Sequence, residues 1–203
     1  MKTNTRKIVG TALFMAIVFV LQHLAEYIKI GPFSITLVLA PIIVGAAVYG
    51  IGTGAILGLE FGLLVLLPRP IGTGDAQLFL TLNPVATIAV VILKGVLMGL
   101  AASAVYRLIE TKNKLFAAII AGITAPVVNT GVFVIGCWLF FMPTITEWAT
   151  AAGAENAGLF VITGVVGINF LIELAINLVL STVIVRIITI GRKESGKTDK
   201  PQS

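Results

Sequence analysis

Near-continuous apolar stretches occupy most of this chain and leave it few folds to choose from. They run from Ile8 to Leu24, Phe33 to Tyr49, Ile51 to Leu67, Pro84 to Tyr106, Leu115 to Phe141 and Leu159 to Ile190. Each is close to, or longer than, the ~17–25 residues that a helix needs to cross a bilayer. None shows the period-two alternation of a barrel strand, so helices, which satisfy their own backbone, are the expected spanning elements. The expectation is an all-α integral membrane protein of six transmembrane helices. Only Tyr49-Gly50-Ile51-Gly52-Thr53-Gly54 separates the second span from the third. That interruption can be a tight hairpin; merging the two spans leaves five.

Composition supports the bilayer as solvent. At 58% hydrophobic and 11% charged residues, with a mean hydropathy of +1.06, the chain has too little charge to cover a water-exposed surface. The expected organisation is a cytoplasmic segment 1–7, a membrane domain 8–190 and a disordered basic cytoplasmic tail 191–203, with no soluble domain. The first apolar stretch has no small-residue cleavage site, so it is expected to stay attached.

Charge placement sets the orientation. Lys2, Arg6 and Lys7 precede span one, Arg107, Lys112 and Lys114 lie between spans four and five, and Arg186, Arg192, Lys193, Lys197 and Lys200 end the chain. The positive-inside rule therefore puts both termini in the cytoplasm. The net charge of +5 and pI near 9.6 are topological signals with some attraction to anionic lipid heads, and nucleic acid is not an expected partner.

Enzymatic chemistry finds little support. Cys137 and His23 are each the single residue of their type. Neither a disulfide nor a CxxC metal site can be built within one chain, and Cys137 reads as packing. His23, near a helix end, reads as an interfacial residue before a ligand. HExxH, GxSxG and GxxxxGK[ST] are all absent, so no metal, cofactor or ATP hydrolysis is expected on this chain.

Ionisable groups in hydrocarbon are costly and point to function. Glu60, Lys94 and Glu173 stand out inside the spans, accompanied by Asn129, Asn169 and Asn177. Asn169, Glu173 and Asn177 recur every fourth residue, which puts them on one helix face. Counting inward from the expected extracellular end of each span, Lys94, Asn129 and Asn169 all fall roughly 15–18 Å deep, near the midplane where transporters bind substrates. The competing reading is an ion pair of Lys94 with Glu60 or Glu173 and asparagines that tie helices together. Gly50, Gly54, Gly58 and Gly62, with Gly95 and Gly99, read as intramolecular packing seams.

With these features the chain resembles the membrane-embedded substrate-binding (S) components of energy-coupling factor (ECF) transporters, which capture vitamins for bacterial import. The resemblance covers Thr5 to about Arg192. It is carried by Ala12-Leu13-Phe14-Met15-Ala16, by the glycine-rich turn Tyr49-Gly50-Ile51-Gly52-Thr53-Gly54-Ala55, and by Lys94-Gly95-Val96-Leu97-Met98-Gly99-Leu100-Ala101. A proline often follows the first glycine of that turn in the family; Ile51 stands there in this chain.

The resemblance implies an S-component-like bundle in the bacterial cell membrane. It implies docking on a transmembrane coupling protein that works with two separate ATPases, with Ala12 and Ala16 as the docking face. It also implies a pocket for a water-soluble vitamin, riboflavin, pantothenate and folate among the candidates, made by helices four to six and covered by Tyr27–Phe33, Pro68–Thr81 and Met142–Gly158. Lys94, Asn129, Asn169 and Glu173 would form its polar core, with Asn83 and Trp138 above. Lys94 would neutralise a carboxylate and the asparagines would donate and accept hydrogen bonds. Trp138 would stack on a flat ligand, whereas Trp148 fits an aromatic belt. Two other classes stay open: a stand-alone ion-coupled carrier using Glu60 or Glu173, and a membrane scaffold without a small ligand.

Overall fold

The computed structural model describes residues 2–25, 27, 29–30, 33–34, 37–67, 75–180 and 183. Its elements are helix α1 (Lys2–Ala25), the two-residue strands β1 (Lys29–Ile30) and β2 (Phe33–Ser34), and helices α2 (Leu39–Tyr49), α3 (Ile51–Leu66), α4 (Asp75–Leu82), α5 (Pro84–Ile109), α6 (Lys114–Phe140), α7 (Met142–Ala151) and α8 (Ala157–Leu180). By length and composition four of these helices, α1, α5, α6 and α8, can each cross a membrane, while α2 and α3 are shorter apolar helices of 11 and 16 residues. The expected tail 191–203 and the end of the last span beyond residue 183 lie outside the described residues.

Asparagine starts three of the long helices in the same way. The side-chain oxygens of Asn83, Asn113 and Asn156 accept hydrogen bonds from the backbone N–H groups of Ala86, Phe116 and Leu159, at 3.1, 3.0 and 2.9 Å. Each satisfies a first-turn donor that has no partner within the helix. Pro84 follows Asn83 at the first helical position, where its missing N–H costs nothing.

Gly50 separates α2 from α3. Its φ of 107° lies where side chains are strained, and its carbonyl accepts from the N–H of Thr53 and of Gly54 to start the next helix. Side chains at Gly54 and Gly45 would meet Ala46 and Leu57 respectively, near-symmetric positions about Gly50. The two helices therefore fold back on each other as a hairpin, and they do not merge into one span. The second apolar stretch is helical only from Leu39. Its first residues, Phe33–Ser34, instead pair antiparallel with Lys29–Ile30.

The glycine spacing is a packing seam within the molecule. A Cβ on Gly54, Gly58 or Gly62 of α3 would run into the backbone carbonyl of Gly99, Gly95 or Val91 of α5. The helices run antiparallel with their backbones touching, and a small residue every fourth position is what permits this. Ser103, beside Gly54, donates its hydroxyl to the Gly99 carbonyl. The α3–α5 and α5–α6 interfaces are extensive. Around them lies a core that includes Val18, Leu39, Ile42, Ile43, Leu57, Met98 and Tyr106, all buried. The outward faces carry Ile8, Leu13, Val85, Leu108, Leu139 and Val179 exposed, as expected where the surroundings are lipid.

Candidate ligand site between α5, α6 and α8

The polar residues of the spans collect on the inner faces of the last three long helices. Asn129 on α6 and Asn169, Glu173 and Asn177 on α8 are between 1 and 8% exposed, so the four-residue stripe on α8 faces protein. Two anchors set the antiparallel register of α6 and α8. Trp138 donates its indole N–H to the Gly158 carbonyl at 3.4 Å, and at the other end a side chain on Gly122 would meet the Asn177 backbone. Between these anchors Asn129 falls level with Asn169.

Register on the other side of α6 locates Lys94. Gly136 faces Val90 of α5, and the Lys94 ammonium lies 5.3 Å from the centre of the Phe133 ring and 5.8 Å from that of Phe61 on α3. Two aromatic faces beside this half-buried cation attract it electrostatically. Phe133 is one turn from Asn129, so Lys94 and the two asparagines lie along one short polar column.

The amides are not satisfied by the protein. The Oδ1 atoms of Asn129, Asn169 and Asn177 are buried without a hydrogen-bond partner, while the Asn177 Nδ2 donates to the Glu173 carbonyl at 2.7 Å. A buried polar atom left without a partner costs roughly 1–3 kcal/mol. Asparagines that merely tie helices together would be paired. Three unpaired oxygens on two facing helices fit a site whose partner arrives from outside.

Both helices carry backbone irregularities beside this layer. Pro126 sits inside α6, three residues from Asn129, and removes the hydrogen bond that the Gly122 carbonyl would otherwise accept. Val161–Val166 forms a wide π-helical turn within α8, ahead of Asn169. Such turns are commonest at functional positions. Among the described residues no cluster of His, Cys, Asp or Glu could hold a metal ion.

The other expected residues are placed as follows. The Asn83 Oδ1 is committed to the α5 cap. Trp138 is 43% exposed, whereas Trp148 is partly buried against Phe79. Phe79 of α4 also contacts Phe133 and Phe141, with ring centres 5.5 and 4.9 Å apart. An aromatic chain therefore runs from Lys94 through Phe133 and Phe79 to Trp148, joining α4 and α7 to the site. Sequence reading missed Phe61, Phe79 and Phe133; only the four-residue step from Asn129 to Phe133 gave a signal. Residues 68–74 of the expected covering segment Pro68–Thr81 lie outside the described residues.

Glu60 stands apart from the column. It lies two turns along α3 from Thr53, whose hydroxyl is 3.4 Å from that of Thr11, so it shares the face that meets α1. Its Oε2 is buried with no hydrogen-bond partner, and the expected alternative of a Glu60–Lys94 pair does not fit this placement. His23 donates Nδ1–H to the Phe19 carbonyl at 2.9 Å and stacks on the Phe19 ring, an arrangement internal to α1. Cys137 is buried and free. Ala12 and Ala16 are exposed on α1.

Comparison with known proteins agrees with this architecture. Residues 6–185 match the family described as ECF transporter, substrate-specific component. The pantothenic acid transporter PanT of Lactococcus lactis subsp. cremoris (strain MG1363) is 27% identical over 206 aligned positions, covering 96% of this chain and 99% of that protein. The chain belongs to the substrate-specific components of ECF transporters, a family of non-catalytic, substrate-binding membrane proteins that serve vitamin uptake.

Proposed function

We propose that this chain is the high-affinity binding subunit for uptake of pantothenate, working with a separate ECF transmembrane coupling protein and two ATPases. The observation that carries the reading is the layer of buried, unpartnered amide oxygens at Asn129 and Asn169, in one column with the Lys94 cation. Pantothenate has a carboxylate for Lys94, together with an amide and two hydroxyls for the asparagines and Glu173. The near full-length similarity to a pantothenic acid transporter supports this choice over riboflavin and folate. Asn83 and Trp138 stand towards the α7 end of the same helices, where the Asn83 amide N–H can face a ligand while its oxygen caps α5. Both termini are cytoplasmic in this reading, six helices span the bilayer, and ligand enters from outside beneath α4 and α7.

Native mass spectrometry of the purified solitary protein tests the ligand. A bound mass equal to pantothenate is the expected result, and a different vitamin, or no uptake of added pantothenate into the complex, rejects it. Docking is tested separately on α1. Two exposed alanines one turn apart allow a partner helix to approach to backbone distance. Ala12→Trp or Ala16→Trp should abolish uptake in cells while leaving the affinity of the solitary protein unchanged; preserved uptake removes this role.

The unpartnered carboxyl of Glu60 favours a second reading, a stand-alone ion-coupled carrier. Glu60→Gln separates the two. Uptake driven by partner ATPases persists in this variant, whereas uptake that needs no ATPase and stops with an uncoupler, or with Glu60→Gln, marks the carrier.

A further inference from the structure

Glu60 has a counterpart outside the polar column. Gln22 of α1 is 4% exposed, and its Oε1, like the Glu60 Oε2, is buried without a hydrogen-bond partner. Side chains at Gly10 and Gly45 would meet the rings of Tyr49 and Phe14 respectively, so α1 runs antiparallel to α2 and, through the Gly50 hairpin, parallel to α3. The Thr11 and Thr53 hydroxyls, 3.4 Å apart, fix the register of this parallel pair. Seven residues further along each helix stand the buried Val18 and Glu60, and Gln22 follows Val18 by one turn. Thr11, Val18 and Gln22 share one face of α1, as Thr53 and Glu60 share one face of α3. A side chain in such a parallel pair seats among residues from consecutive turns of the facing helix. Helical side chains also lean back towards their own N-terminus, which brings Gln22 down towards the level of Glu60. The two orphaned oxygens therefore belong to one polar site in the α1–α3 groove.

Both oxygens are acceptors. An ionised Glu60 would set a negative charge against the amide oxygen and leave both without a donor, between apolar helices where charge is costly. A single proton on the carboxyl satisfies the pair, because the acid O–H can then donate to the Gln22 oxygen. A metal ion would need several further oxygens; the next on these two faces, the Thr11 and Thr53 hydroxyls, are two turns away, and no acidic cluster lies among the described residues. Charged neighbours are turned elsewhere. On α1 the His23 ring bonds the Phe19 carbonyl, α2 offers only Tyr49 at the Gly10 end, Lys94 of α5 approaches α3 at the Phe61 ring, and Gln77 of α4 reaches the Leu66 carbonyl.

We propose that Glu60 is a proton-binding site: a carboxylic acid that donates its O–H to the Gln22 Oε1 and so fastens α1 to α3. The same helix α1 exposes Ala12 and Ala16. The site lies outside the column between α5, α6 and α8, so it stands whichever ligand that column takes.

Infrared difference spectra of the full-length solitary protein at neutral pH test the assignment. Subtracting Glu60→Gln from the wild type should reveal the carbonyl stretch of a protonated carboxylic acid and no carboxylate stretch. That carbonyl band should shift in Gln22→Leu, or in Gln22→Ala should the first variant not fold. Glu60→Gln itself should keep the wild-type melting temperature, since an amide N–H takes the place of the acid O–H; a variant that fails to fold contradicts the proposal. Carboxylate bands in the difference spectrum overturn it, including the arrangement in which a turned Gln22 amide donates to an ionised Glu60. An acid band indifferent to both Gln22 substitutions removes the α1–α3 link and overturns it as well. So does a melting temperature that rises when sodium replaces potassium in the wild type but not in Glu60→Gln, which would put a metal ion in the site.

Discussion

The α3–α5 seam and the α6–α8 layer are both buried helix–helix contacts, yet they solve opposite problems. Along the seam, Gly54, Gly58 and Gly62 bring backbone against backbone, and Ser103 finds a carbonyl to bond. In the layer, Asn129, Asn169 and Asn177 keep carbonyl oxygens away from any protein partner. The seam contributes stability through close contact, whereas the layer gives stability up. The proposed function reads this difference as a layer kept for an incoming partner.

The largest effect should come from breaking the seam. Gly58→Leu forces a branched side chain into the Gly95 carbonyl, with rigid backbone on both sides. The expected result is loss of monodisperse protein in detergent. A folded variant that still binds ligand would show that the two helices can separate freely, and the contrast between the regions would fail.

Substitution in the layer should do the reverse. Asn169→Leu removes an unpartnered buried oxygen, so thermal stability should hold or rise while pantothenate affinity falls by roughly tenfold or more. Glu173→Leu should likewise lower pantothenate affinity. A drop in melting temperature with unchanged affinity would make these residues structural and erase the distinction.

A smaller effect sharpens the comparison at a residue that belongs to both categories. Asn83→Ser keeps an oxygen to cap α5 but loses the amide N–H, so stability should stay within a few tenths of a kcal/mol and affinity should fall only a few-fold. Asn83→Ala should cost about 1 kcal/mol of stability as well. Equal affinity in wild type and both variants would assign Asn83 to the cap alone.

How much of this could be read without coordinates depends on whether the signal was periodic. Glycine every fourth residue reports one helix face directly, and the seam follows from Gly54, Gly58 and Gly62 set against Gly95 and Gly99. The stripe of Asn169, Glu173 and Asn177 was legible for the same reason. Hydropathy alone could not say that Phe33–Ser34 would pair as a strand, because a short apolar run fits either structure. Helices α4 and α7 were hidden among polar and proline-containing residues that read as loops.

The aromatic chain was the least accessible part. Phe61, Phe79 and Phe133 come from three helices, and only the register of α3, α5 and α6 brings them together around Lys94 and towards Trp148. Trp138 and Trp148 were weighed by their nearness to helix ends. Their different surroundings, one largely exposed and one packed on Phe79, depend on how α7 folds over the bundle.

A crystal structure of the solitary protein with pantothenate tests most directly whether the buried amides await a ligand. Ligand polar atoms should lie within hydrogen-bond distance of the Asn129 and Asn169 side-chain oxygens. Pantothenate bound elsewhere, with those two oxygens still unpartnered or closed upon one another, would contradict it.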